Sequence, residues 1–307
     1  MPNTLVHAGL QGAATRLVLR SVDLKWVYIG CILPDMGWMI QRAVRLLAPG
    51  CDPLRLRLYA IVLSTLAFSL LLAMALAQLS RRPVRTFFIL AVNSGFHLLL
   101  DAAQIKWGNG VHFFAPLDWT LTQFGLFWPE SPLNYILTLS GLLYLLINWR
   151  FCVRERPDVR LGSGPRLLRA ALPLALYATL PLLLLHHPEK ADNHYIHTLS
   201  EKDQRAGQRI ELDRVAAYSD SDGVRLRLRT GERVYAEGIT LAESAVVSIR
   251  GQFLAPDRIR VQQFHIHAGR WRSLASLLGL VLICAIWTES ALRGWRRRGS
   301  GRIRAEE

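Results

Sequence analysis

His97 and Asp101 lie four residues apart in Phe96-His97-Leu98-Leu99-Leu100-Asp101, within one of the most apolar stretches of the chain. At helical spacing i and i+4 share a face, so the imidazole and the carboxylate point the same way. Two ionisable groups in a lipid-embedded segment cost roughly several kcal/mol and call for a partner, a cavity or a metal. Other groups accompany the pair. His7 sits in Asn3-Thr-Leu-Val-His-Ala-Gly-Leu10 among apolar neighbours, and Asp35 ends Cys31-Ile-Leu-Pro-Asp35, where the proline stops a helix and frees the carboxylate to reach inward. His112 and Asp118 lie in the Gly-rich, aromatic stretch Gly108-Asn-Gly-Val-His-Phe-Phe-Ala-Pro-Leu-Asp-Trp119. Two imidazoles and two carboxylates converging on one point suit Zn²⁺, with Mn²⁺ as the alternative. A catalytic site of that kind keeps one position for water, whose pKa the metal lowers towards about 7. His7, Asp35, His97 and Asp101 are therefore the candidate metal ligands. His112 and Asp118 are the candidate accessory ligand or proton carrier. The simpler account of His97 and Asp101 is a hydrogen bond that fixes helix packing.

The elements that must position these groups are membrane helices. The chain has 307 residues, 51% of them hydrophobic, and a formal net charge of +14. Its apolar residues gather in runs near the 20 or so needed to cross a bilayer: Tyr59–Leu79, Phe87–Gln104, Leu133–Trp149, Leu167–Leu185 and Leu274–Leu292. Arginines fill the connectors in three clusters: Arg81, Arg82 and Arg85; Arg150, Arg154, Arg156, Arg160, Arg166 and Arg169; and Arg293, Arg296, Arg297, Arg298, Arg302 and Arg304. Placing all three in the cytoplasm satisfies the positive-inside rule at every crossing, so the basic excess reads as topology and no nucleic-acid partner is expected. His97 and Asp101 then lie towards the outer leaflet. Thr4–Leu19 and Trp26–Leu33 are too short for confident spans and read as an N-terminal hairpin shielded by the other helices, which brings His7 and Asp35 to the same side. No cleavable signal peptide is evident, and the spacing of Cys31, Cys51, Cys152 and Cys284 suggests neither a metal site nor a structural disulfide.

Residues 209–267 change character. Gly223-Val-Arg-Leu-Arg-Leu-Arg229 alternates with period two, and Val246–Phe253 and Arg258–Phe264 repeat the pattern across a Pro-Asp turn. Several short strands over about sixty residues suggest a small OB-like β-barrel on the extracytoplasmic side. The outward Arg225, Arg227 and Arg229 read most simply as a solvated strand face. The expected architecture is a mostly α membrane protein of about five transmembrane helices plus the hairpin, with an inserted β-barrel. Its parts are residues 1–188 for the membrane bundle and site, 189–270 for the barrel, and 271–307 for a last helix and basic cytoplasmic tail. All nine histidines (His7, His97, His112, His186, His187, His194, His197, His265 and His267) fall on the proposed outer side. Alternation puts His265 and His267 on one strand face, the spacing of a surface metal clip, although juxtamembrane clustering of polar residues explains them more simply.

Thr4-x-x-His7, Leu33-Pro-Asp35 and His97-Leu-Leu-Leu-Asp101, followed by Gly110-Val and Phe114-Ala-Pro116, resemble the YdjM-like family of inner-membrane metal-dependent hydrolases, over roughly residues 1–130. That family is related by pattern to the zinc-dependent phospholipase C and P1 nuclease group, in which a His-x-x-x-Asp helix supplies metal ligands. The resemblance implies that His7, Asp35, His97 and Asp101 are metal-site residues and that the activity is hydrolysis of a phosphoester or similar bond. One departure matters. Where family members carry a His-rich turn, this chain reads Arg55-Leu-Arg-Leu-Tyr-Ala-Ile-Val-Leu-Ser64, with no histidine. His112 is the candidate replacement. The expected function is hydrolysis at the outer leaflet of a bacterial inner membrane, with membrane lipids as neighbours and a lipid-linked or envelope substrate. The alternative is a non-catalytic membrane adaptor whose barrel recruits an envelope partner. A transporter is the weaker third reading, since no internal repeat is evident.

Overall fold

The computed structural model describes residues 3–155, 158–159, 164–191, 195–220 and 223–303, with the backbone alone for 294–303. The readings made of Arg156, Arg160, His194 and Arg304 lie outside these residues, as do those of the Arg296, Arg297, Arg298 and Arg302 side chains. Helix α1 (Thr4–Val18) starts at Asn3, whose side chain accepts from the Val6 amide and donates to Thr138. Its glycines let neighbours close in. A Cβ on Gly9 would stand 2.3 Å from the Gly141 Cα, and one on Gly141 would stand 2.1 Å from the Leu5 carbonyl oxygen. Backbone therefore meets backbone, and α1 is packed into the bundle rather than laid over it. The chain turns back through Asp23, which caps α2 (Leu24–Gly30) against α1. Pro34 then opens the 3₁₀ turn Leu33–Asp35, which leads into α3 (Met36–Leu47).

Among the described residues, four helical runs are long and apolar enough to cross a membrane. They are α6 (Pro83–Ala103), α7 (Pro132–Arg154), Gly164–Leu184 built from α8 (Gly164–Thr179) and α9 (Pro181–Leu184), and Trp271–Arg293 of α12 (Trp271–Ile303). Large apolar side chains such as Ile136, Ile147, Leu168, Leu183 and Leu277 stand exposed along them, an outward apolar surface that water-soluble domains rarely carry. Tyr59–Leu79, expected to be one straight span, is instead broken: α4 (Pro53–Leu63) and α5 (Leu66–Ala77) meet at 67°. Thr65 makes the corner. Its hydroxyl bonds the Val62 carbonyl, and the same oxygen accepts from the Phe68 amide to cap α5.

The arginine-rich stretches meet at one end of the bundle. Arg85 donates to the Ser21 carbonyl, Arg166 to that of Ser80, and Lys25 to those of Cys152 and Glu155. Helix α6 begins at this end and delivers His97 and Asp101 to the other, about 30 Å away for a helix of this length. Beyond the short helices α10 (His186–Ala191) and α11 (Ile196–Ser200), five strands follow: β1 (Arg209–Asp220), β2 (Gly223–Arg227), β3 (Arg233–Glu237), β4 (Ala245–Ala255) and β5 (Arg258–His267). They close into a barrel in the order β1-β2-β3-β5-β4, with β3 and β5 parallel. Val224, Leu226 and Leu228 point inward while Arg225 and Arg227 point out, as the alternation requires. The barrel core extends into the bundle, where Leu58 and Ile61 of α4 join Ile210, Leu212, Val247, Ile249 and Phe253. The stretch that departs from the His-rich pattern is thus the seat of the barrel.

Candidate metal centre

Three elements bring the expected ligands together. Helix α1 supplies His7, the 3₁₀ turn Asp35, and one face of α6 both His97 and Asp101. His7 Nε2 lies 3.4 Å from Asp101 Oδ1, while His97 Nε2 lies 3.7 Å from both Asp101 Oδ2 and Asp35 Oδ1. The two imidazoles stack with centroids 3.8 Å apart. Ligand atoms of His7, His97 and Asp101 all fall within 4.8 Å of one another. Atoms bound about 2.1 Å from a tetrahedral ion stand about 3.4 Å apart, so the spacing fits a shared cation.

The hydrogen bonding points the same way. A carbonyl can only accept, so at 2.6 Å from the Cys31 oxygen His97 Nδ1 must carry the proton. Its Nε2 lone pair then faces two carboxylate oxygens, all three of them acceptors when the ring is neutral. His7 Nε2, His97 Nε2, Asp35 Oδ1 and Asp101 Oδ1 are all buried without a hydrogen-bond partner. Such groups ordinarily find a partner, and a cation would satisfy all four at once. His7 is held by Gln11, whose amide lies 3.2 Å from Nδ1 and accepts from the Cys31 thiol at 3.0 Å. With the amide nitrogen toward His7, Nε2 carries the ring proton; turned over, Gln11 would accept from Nδ1 and free Nε2 as a ligand. Lys106 closes the inner edge, its Nζ 3.4 Å from Asp101 Oδ2. Asp35 is the only one of the four with a partly exposed side chain, so it marks the open edge.

His112 and Asp118 stand outside this cluster. His112 is buried and donates from Nδ1 to the Trp119 carbonyl at 2.7 Å; burial pulls its pKa below the usual imidazole range. Asp118 is exposed and caps its own turn, accepting from the Thr120 hydroxyl and amide, and these bonds hold its pKa low. Both side chains are held by bonds within their own loop. The other histidines divide: His187 stacks on Trp119, His197 pairs with Glu201 at the surface, and His265 and His267 meet Glu130. Sequence reasoning passed over Gln11, Lys106 and Glu130. Gln11 had a local signal, one helical turn after His7; Glu130 had none. No family model, curated protein or solved structure matches this chain.

Proposed function

We propose that this chain is a membrane-embedded, metal-dependent hydrolase of the YdjM-like type, acting on a lipid-linked or other envelope phosphoester at the outer face of a bacterial inner membrane. The observation that carries the reading is the convergence of four buried, unpartnered polar atoms from His7, Asp35, His97 and Asp101. Two imidazoles and two carboxylates favour zinc, with manganese as the alternative. A divalent ion held there supplies Lewis acidity toward a phosphoryl oxygen. The Lys106 ammonium lies beside the same carboxylate, where it adds positive charge for an anionic substrate. The apolar outward surface supports bilayer placement, and gathering the arginines at the end opposite the site supports a cytoplasmic C-terminus. The barrel's strand order supports the OB-like reading.

The test is metal analysis of detergent-purified protein beside Asp35→Asn, His97→Ala and Asp101→Asn, with hydrolysis of bis(p-nitrophenyl) phosphate and of phospholipid micelles as readouts. The variants are expected to lose one metal equivalent together with turnover. Unchanged metal content and turnover in all three would end the proposal. A second reading, a membrane adaptor, draws on α4, which seats the barrel where the resembled family carries its His-rich turn. Full metal occupancy with no turnover of any phosphodiester would favour it.

A further inference from the structure

The geometry points to a second divalent-metal site, built by Glu130, His265 and His267 where the barrel meets the bundle. It does not depend on the hydrolase reading. Alternation along β5 places both rings on one face, and Glu130 precedes Ser131, the N-cap of α7. His267 Nδ1 lies 3.0 Å from Glu130 Oε1 and His265 Nε2 lies 3.3 Å from Oε2, again near the spacing of ligands around a tetrahedral ion. Three ligand atoms, one from each residue, fall within 4.8 Å of one another. The His265 ring is fixed by stacking on Trp128, 3.8 Å away and 6° from parallel.

The support behind His267 decides its protonation. Ser248 Oγ donates to Asp213 Oδ1 at 3.1 Å and accepts the Arg214 amide at 3.1 Å. With that proton on Asp213, Ser248 accepts from His267 Nε2, 2.7 Å away. Nε2 carries the ring proton, and a neutral His267 turns its Nδ1 lone pair onto a carboxylate. A cation between them resolves that clash, and the carboxylate–serine–histidine chain is the kind of outer support that orients metal-binding imidazoles. The Arg214 guanidinium donates to Glu130 Oε1 at 2.6 Å and fixes the carboxylate beside the two rings. Arg214 takes a left-handed φ of 54° at a bulge in β1, a strained conformation held by its amide bond to Ser248. Ser248, His267 and Glu130 also have the spacing of a serine-hydrolase triad. The Ser248 side chain is fully buried and its proton is used, so it is a positioning residue.

The donor set, two imidazoles and one carboxylate, selects a borderline transition ion such as zinc over oxygen-seeking calcium or magnesium. Glu130 also lines a cavity of about 290 Å³ with Asn134, Tyr135, Trp271, Arg272 and Ala275, so one side of the site opens to a largely apolar space. The site would clip the barrel to the start of α7.

Zinc stoichiometry and affinity, measured on the full chain in detergent with cobalt(II) absorption as a second probe, test this. Wild type should bind two equivalents. The His97→Ala/Asp101→Asn variant should keep one, and His265→Ala/His267→Ala should lose that one. Two milder variants guard against misfolding: Glu130→Gln should abolish binding at this site, and Ser248→Ala should weaken it about 10- to 100-fold. A wild type that binds one equivalent, kept in His97→Ala/Asp101→Asn and lost in His265→Ala/His267→Ala, would leave the second site standing and sink the hydrolase reading. Zinc binding unchanged in His265→Ala/His267→Ala, or a Glu130→Gln variant that binds zinc and cobalt(II) like wild type, would overturn the second site and identify the cluster as a network of imidazolium–carboxylate pairs.

Discussion

Gly141→Ala should loosen the contact that holds His7 in place. The new Cβ would lie 2.1 Å from the Leu5 carbonyl oxygen, whereas ordinary contact begins at 3.4 Å, so backbone must move by the difference, roughly 1.3 Å. Helix α1 has no room to retreat. Leu5 and Gly9 are each two residues from His7, which puts the imidazole about 200° around the helix, on the far side. There it already stacks on His97 at 3.8 Å. Helix α7 must lean away instead, at a cost of about 1–3 kcal/mol. That corresponds to a fall of roughly 2–6 °C in apparent melting temperature for a chain of this size. Metal sites tolerate ligand displacements of only about 0.2 Å, so zinc affinity at the His7 site should fall as well. Gly95→Ala is the control. It lies on α6 two residues before His97, with nothing within 4 Å of its Cβ position. Replacing this helical glycine should be neutral or gain up to about 1 kcal/mol. Thermal unfolding in detergent, with and without zinc, reads both. If Gly141→Ala melts and binds zinc like wild type, the account of α1 as a clamped carrier of His7 is wrong.

Gln11→Leu removes the amide that bonds His7 Nδ1 and should weaken zinc binding at that site about 10- to 100-fold, leaving the fold intact by circular dichroism. Acid should loosen the Gly108–Trp119 loop through His112. Its pKa is depressed by burial, so the unfolded chain binds the proton more readily, and stability present at neutral pH is lost as pH falls below about 6.5. Trp119 fluorescence should report that change, and His112→Asn, which keeps a donor for the Trp119 carbonyl, should flatten it. Arg205 is fully buried, chelated by Glu232 and bonded to the carbonyls of Thr198, Leu199 and Pro256. Arg205→Met strands those partners and should destabilise the barrel by about 3 kcal/mol, read as faster limited proteolysis within residues 205–267; unchanged cleavage would count against it.

Much of this was local enough to read directly. The i, i+4 placement of His97 and Asp101, the helix-stopping Pro34 before Asp35, and the strict alternation of Val224 to Arg227 each follow from the geometry of one element. The four apolar runs that form α6, α7, α8 with α9, and α12 follow from length and composition alone. The break at Thr65 was less visible, because an apolar run carries no mark of the hydroxyl that bonds Val62 and caps α5. The surroundings of His112 and Asp118 were hidden for a related reason. Residue type and nearness to Asp101 suggested an accessory role, but short-range bonds to Trp119 and Thr120 turn both groups back onto their own loop.

By itself the sequence determined which groups are unusual: ionisable side chains inside apolar helices, and two histidines on one strand face. Tertiary structure alone decided which of them meet. Leu5 touches Gly141, and Glu130 reaches His267 across 137 positions. Contacts of that separation depend on how whole helices and strands pack, and no local period encodes them. Periodicity can say which way a side chain points along its own element. Where that direction ends, on a carboxylate, a carbonyl or a second imidazole, is set by the packing of the other elements around it.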